Sequence, residues 1–217
     1  NQTEVTSFYH DEWRTLVNYA MTGIDKENYG VEAGIEINFT PELVFNGVAS
    51  VGQYLWADNP AITITQDNNS EVLSNDEVWV TWFRQSGTPQ TALAAGLEYN
   101  SSRFWWIGVT GSWYDDIYLD FNPVTRTKDE TGYYPYWDTQ KKTDPGFLID
   151  LFAGKSWKIR DYYLAVSANL SNVLDNRKLI TGGYEQYRYD PQRPELFQPK
   201  IYYYNGFNYF INMSLRF

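Results

Sequence analysis

A chain of 217 residues with no cysteine and a single histidine, His10, excludes disulfides, thiolate metal sites and any site built from several histidines. A formal charge of −10 and a pI of about 4.5, with no cluster of Lys and Arg, exclude a nucleic-acid-binding surface. Tyr, Phe and Trp make up 18% of the chain although mean hydropathy is −0.52. Rings with an apolar body and a polar tip suit surfaces that are greasy at one end and wet at the other, such as membrane-interface girdles and carbohydrate-binding clefts.

No run of about 18 apolar residues occurs, so no transmembrane helix is expected, but barrel strands cross a bilayer with only about 10 alternating residues. In chain order, a short strand is predicted before His10, and residues 10–22 read mainly as loop with room for a helical turn. Residues 29–39 alternate cleanly: Val31, Ala33, Ile35, Ile37 and Phe39 share one face, Glu32, Gly34, Glu36 and Asn38 the other. The tight connection Thr40-Pro41-Glu42 leads to a strand at 43–54, then to a long polar stretch at 55–76. A strand at 78–99, broken near Ser86-Gly87-Thr88-Pro89, ends on Leu93, Ala95, Leu97 and Tyr99. After Asn100-Ser101-Ser102 comes 104–119, with Trp105, Ile107, Val109 and Trp113 on one face, then a second long stretch at 115–145. Strands at 146–157 and 162–174 flank the tight Lys158-Ile159-Arg160-Asp161, and a third long stretch at 175–205 precedes the last strand, 205–217.

About eight strands result, with short and long connections alternating strictly after the first. Short turns on one side and long loops on the other give this rhythm in a transmembrane barrel, and an even count places the C-terminus on the short-turn side. Alternation by itself does not separate a barrel from a soluble sandwich with its apolar face inward. No internal repeat or linker divides the chain, so residues 1–217 read as one unit. No secretory leader precedes Asn1, which implies either its removal or a start partway through a longer polypeptide.

Tyr209, Ile211, Met213, Leu215 and Phe217 form an apolar row ending on an aromatic residue, which resembles the signal read by the machinery that assembles outer-membrane barrels. Several segments resemble TonB-dependent receptors of Bacteroidetes type: Asp115-Asp116-Ile117-Tyr118-Leu119-Asp120-Phe121-Asn122-Pro123, Asn172-Val173-Leu174-Asp175-Asn176 and Thr181-Gly182-Gly183-Tyr184-Glu185-Gln186. Phe8-Tyr9-His10-Asp11, Val17-Asn18-Tyr19 and Gly52-Gln53-Tyr54 belong to the same likeness, which covers most of the chain. The resemblance implies an all-β fold, an antiparallel transmembrane segment of a barrel of about 22 strands. It also implies a plug inside that barrel, energy from TonB, a place in the cell outer membrane, and no enzymatic activity. No plug and no TonB box occur in these residues. About eight strands are too few to close so wide a barrel, so the first and last strands are expected to pair with other segments and not with each other.

The candidate ligand contacts are Trp56, Tyr133, Tyr136 and Trp137, aromatic residues in or beside the long stretches, where they stack on a ligand or else form an outer aromatic girdle or pack loop on loop. Asp115, Asp116 and Asp120 offer oxygen ligands of the kind Ca²⁺ takes, without EF-hand spacing; no other cofactor is expected. Glu36 and Glu98 on polar strand faces read as lumen polarity in preference to a glycosidase pair. The expected partners are the rest of the barrel and its plug, the TonB complex, outer-membrane lipid and a surface lipoprotein, with no nucleic acid. The function expected is energised uptake of a glycan, peptide or metal chelate. A soluble aromatic-rich sandwich acting on or binding polysaccharide and a complete eight-stranded outer-membrane barrel are the alternatives.

Overall fold

The computed structural model describes residues 2–10, 13–69, 71–127, 139–188, 190 and 193–217. Two hairpins open the chain, β1 (Gln2–His10) with β2 (Thr15–Ile24) and β3 (Lys26–Asn38) with β4 (Leu43–Trp56). Then come β5 (Ala61–Gln66), β6 (Val72–Glu77), β7 (Thr91–Ser101) and β8 (Trp105–Asp115). The remainder is β9 (Gly146–Ile159), β10 (Tyr162–Ser171), β11 (Ile180–Tyr184), β12 (Lys200–Tyr203) and β13 (Asn208–Arg216), with 3-10 turns at Pro123–Arg126 and Pro194–Phe197. Among the described residues no helix is long and apolar enough to cross a membrane, which says nothing about crossing by strands. The fold is all-β and its sheets are antiparallel.

Seven strands form the large sheet in the order β13-β10-β9-β8-β7-β4-β3. Its three tight turns lie at one end. In the first, the Thr40 hydroxyl accepts from the backbone N–H groups of Glu42 (3.2 Å) and Leu43 (3.1 Å), closing the turn locally. In the second, the Phe104 N–H donates to the Ser101 carbonyl (3.0 Å), and the third turns through Arg160 at a φ of 57°. The connections 57–90, 116–145 and 172–207 all leave from the opposite end.

The count therefore needs correcting. The large sheet has seven strands and not eight, because the strand before His10 pairs with β2 in a separate four-stranded sheet, β1-β2-β5-β6. Residues 10–22, expected to be loop, supply most of β2, and the stretch 55–76 contains β5 and β6. Residues 78–90 are not a strand; they run irregularly beside the top of β4, with the Trp56 N–H donating to Phe83 O and the Gly52 N–H to Gln90 O, each at 2.8 Å. Residues 116–119 and 172–174 also lie outside the strands expected to hold them, and the stretch 175–205 contains β11 and β12. β3 runs from the long-loop end to the turn end, so seven strands still bring β13 down to the short-turn side.

β1 and β13 do not pair, and neither β3 nor β13 has a second partner among the described strands. The sheet is open, so a complete small barrel is not what these residues form.

Cross-strand register sorts the side chains of the large sheet into two faces. Val31 faces Val51, Leu93 faces Trp113, Val109 faces Leu151 and Val166 faces Met213, a continuous apolar surface. Tyr29, Trp113, Phe147 and Tyr209 border it at the loop end, and Tyr99, Trp105, Trp157 and Tyr162 at the turn end. Lys155 is its one charged residue in β9, close to the turn end, with its ammonium 5.7 Å from the Trp157 ring centre. The opposite face carries Glu32, Glu36, Glu98, Ser50, Thr110, Ser167 and Asn212.

The apolar face is bare. Val31 is 74% exposed and Ile211 61%, values that a sandwich core does not allow. Burial is concentrated beyond the loop end, where Val17, Tyr19, Met21, Trp56, Ile62, Ile64, Val78, Val80, Phe121 and Val124 form one core beneath the four-stranded sheet. The described parts of the long connections thus form a folded cap and not a set of separate loops.

Candidate functional site

The cap is fastened to the large sheet by Asn172, which follows β10. It is fully buried at a φ of 52°, a left-handed conformation that Asn tolerates. Its N–H donates to Asp150 Oδ1 (2.7 Å), and its amide donates to the carbonyls of Asn176 (3.0 Å) and Asn205 (2.9 Å). Its Oδ1 accepts from the Asn176 N–H (2.9 Å). Three residues on, Asp175 accepts from the Phe207 N–H (2.8 Å) and from Arg177, and these bonds hold its carboxyl below the usual carboxylate range. The segment Asn172–Asn176 therefore ties the start of the last long connection to its end. Asn172→Ala would leave several buried partners unpaired, and a loss of about 3 kcal/mol is expected, measurable by denaturant unfolding of the complete protein.

Two further segments singled out in the sequence lie side by side. The Asp120 N–H donates to Gly183 O, and the Glu185 N–H donates to Asp120 O, each at 2.9 Å. Glu185 also accepts two bonds from Arg126, at 2.6 and 2.9 Å, and one from the Asn122 N–H (3.0 Å). Arg126 is 3% exposed; it also donates to Thr139 O (2.7 Å) and sits over the Phe83 ring. Asn122 reaches Gln186 O (2.9 Å) and caps the 3-10 turn through the Val124 N–H (2.9 Å). Arg126 and Glu185 were not among the residues read as functional; 59 positions separate them and neither stands in a motif of charge.

Beside this clasp lies a cavity of about 280 Å³. Ser86, Gly87, Asp120, Phe121, Gly182 to Tyr184, Tyr187 and Tyr202 are among the residues that line it. Gly182 and Gly183 have φ values of 153° and 151°, a region closed to side chains, and a Cβ on Gly183 would strike the Lys200 carbonyl of β12. Gly183→Ala is expected to break the β11–β12 pairing and to raise amide exchange across residues 180–184. Burial raises the Asp120 carboxyl above its ordinary pKa, as does Glu4 nearby, while the Phe121 N–H, Lys26 and Ser86 oppose the rise. Burial also raises the Tyr187 phenol, whose hydroxyl donates to Thr6 Oγ1 (3.3 Å).

The other sequence candidates fall elsewhere. Trp56 is buried in the cap core, edge-on to Phe121 with Lys26 above its ring, so its faces are not available to a ligand. Tyr133, Tyr136 and Trp137 lie outside the described residues. Asp115 and Asp116 both hold Lys142 Nζ, at 3.0 and 2.6 Å, so an ammonium stands where a metal was expected. Asp116, then Asp115, raises the pKa of Lys142. Asp120 is apart from them in the cavity, and among the described residues no three acidic or histidine side chains group as a metal site. His10 stacks on Trp13 in the cap. On the polar face of the large sheet, Glu32, Glu36 and Glu98 accept from Ser50, Asn38 and Asn100, and none pairs with a cation among the described residues. Tyr209, Ile211, Met213, Leu215 and Phe217 are exposed along the apolar edge.

The described residues thus build a bare apolar sheet bordered by aromatic rows, with turns at one end and a folded cap at the other. The fold of the chain is similar to part of the siderophore receptor PiuA from Acinetobacter baumannii, with a TM-score of 0.54 and 11% identity. The similarity covers 98% of this chain and 27% of that one, so the chain spans about a quarter of that receptor's length. No protein-family model matches the sequence, and no curated protein does.

Proposed function

We propose that this chain is part of the wall and outer cap of a TonB-dependent transporter in the outer membrane, which takes up a nutrient through a plugged barrel. The observation that carries this is the uncovered apolar face between two aromatic rows. From Trp105 to Trp113 the chain rises ~27 Å, and with the usual strand tilt this is of the order of the ~25 Å apolar band of such barrels. Water on that face would be costly; lipid would not. The unpaired edges of β3 and β13 call for further strands, since open edges are not tolerated in lipid. The opposite face, with its uncompensated carboxylates, then faces the lumen and the plug. The likeness in fold to a siderophore receptor supports the same reading.

A soluble polysaccharide-binding sandwich would need its apolar face covered, and here it is bare. The receptor reading is tested by fractionation and uptake. The complete protein is expected in the outer membrane, and growth on its nutrient is expected to stop when TonB is removed. A soluble protein, or uptake indifferent to TonB, would count against it. Deleting Phe217 is expected to lower the amount of folded, heat-modifiable barrel without altering uptake per folded molecule; unchanged levels would remove the assembly role of the terminal row.

A further inference from the structure

The chain is strongly acidic, with a formal charge of −10, yet the turn end of the large sheet is basic. Arg103, Lys155, Lys158, Arg160 and Arg216 stand in its turns or near the ends of its strands, against Glu42 and Asp161. Two of these cations are neighbours. Lys155 is on the apolar face, cross-strand from Trp105, with its ammonium 5.7 Å from the Trp157 ring centre. Arg103 precedes Trp105 by two residues, in the turn whose Phe104 carbonyl accepts from the Ser156 N–H (2.8 Å). Diagonal neighbours across such a pair are about 7–8 Å apart, within reach of long side chains. Neither cation forms an ion pair with a described residue. The Glu42 carboxylate in the adjoining turn accepts from the Thr40 hydroxyl (3.1 Å), and Glu98 and Asp150 lie on the opposite face.

We propose that Lys155 and Arg103, framed by Trp105 and Trp157, bind the headgroup phosphate of an anionic phospholipid at the turn-end rim of the sheet. A charge on a lipid-facing surface is costly at depth and least costly at the interface, so the Lys155 stem runs along apolar surface and carries its ammonium to the rim. A phosphate there supplies the counter-charge that the protein does not, and its oxygens accept charge-assisted bonds from the ammonium and from the guanidinium fork. The two indoles have apolar bodies for the acyl side and N–H donors for the headgroup side. Phe104, between Arg103 and Trp105, is 74% exposed and offers a further apolar contact at the same level. A zwitterionic headgroup brings an ammonium of its own, which the two cations repel, so the anionic class is favoured. Short turns of such barrels face the periplasm, where the leaflet is phospholipid and not lipid A.

The inference rests on the receptor reading, which places the apolar face in a membrane. The test is native mass spectrometry of the complete protein in a neutral detergent, titrated with phosphatidylglycerol, with phosphatidylcholine of the same acyl chains, and with lipid A. Phosphatidylglycerol is expected to bind about tenfold or more tighter than phosphatidylcholine. Lys155→Gln and Arg103→Gln are each expected to reduce that preference, and the double variant to abolish it, with heat-modifiability and thermal unfolding unchanged. Lys155→Arg, which keeps the charge, is expected to retain it. Lys178→Gln, in the last long connection, is expected to leave it as it is. Equal binding of the two phospholipids, a preference untouched by the double variant, or tighter binding of lipid A would overturn the proposal and leave the receptor reading standing. Association of no lipid at all would overturn both.

Discussion

Glu185→Ala is expected to destabilise the cap by about 3–5 kcal/mol, because it leaves the Arg126 guanidinium buried without its counter-charge. Arg126 side-chain exposure is 4%, so little water reaches it to compensate. The partner side chain is less deeply placed, and the figure includes loss of the bond to the Asn122 N–H. The effect should be local. Hydrogen exchange would rise at residues 119–127 and 180–187, while the ladders between β7, β8 and β9 stay protected. Glu185→Gln keeps the shape and one acceptor and is expected to fall between wild type and alanine. Unchanged exchange in both segments would mean that the apolar core alone holds the cap.

Leu97→Arg is expected to cost roughly 2–4 kcal/mol, or to prevent assembly, while Glu98→Arg one residue on is tolerated. Leu97 pairs with Phe45 and Val109 on the apolar face, and Glu98 lies on the polar face between Val44 and Gly108. The two positions share a strand, a depth and a backbone environment, so a difference between them reports the medium on each side of the sheet. Folded yield after urea dilution into detergent or lipid would measure it. Similar yields for both would indicate water on both sides.

Strands of the large sheet were legible in the sequence wherever one face had to be apolar throughout. Val31 to Phe39 and Tyr209 to Phe217 alternate because a one-residue slip would turn every apolar side chain to the wrong face. The tight turns were legible for the same reason that they are tight: Thr40 and Ser101 close them with their own hydroxyls. The cap was less so. In β2, Val17, Tyr19 and Met21 do alternate, but Leu16 and Ala20 on the other face blur the pattern. β6 reads Val-Leu-Ser-Asn-Asp-Glu, with no apolar period; its backbone pairing to β5 makes it a strand. Conversely, Val78 and Val80 suggest a strand, and core packing buries them in irregular backbone.

The site divides in the same way. The segments ending at Asn122-Pro123 and beginning at Thr181 could be marked in the sequence, yet their adjacency could not, because it comes from a parallel bridge between Asp120 and Tyr184. The clasp of Arg126 with Glu185 and the cavity next to it follow from that adjacency. Trp56 illustrates the reverse: a Trp at the end of a strand suits an aromatic girdle, but here the chain turns over it and makes it core.

The central claim, that the face of the sheet carrying Val31, Leu97 and Val166 meets lipid and the face carrying Glu32, Glu98 and Ser167 meets water, is tested most directly by a single-cysteine scan. The chain has no cysteine, so each substitution reports on one position alone. For residues 105–113 in the membrane-embedded protein, cysteines at 105, 107, 109, 111 and 113 are expected to resist a water-soluble maleimide. Fluorophores attached there under denaturing conditions before refolding should be quenched by nitroxide-labelled lipid. Cysteines at 106, 108, 110 and 112 are expected to escape lipid quenching and, in assemblies opened to the lumen, to react with the maleimide. Quenching at neither set, or equal quenching and labelling at both, would contradict the account.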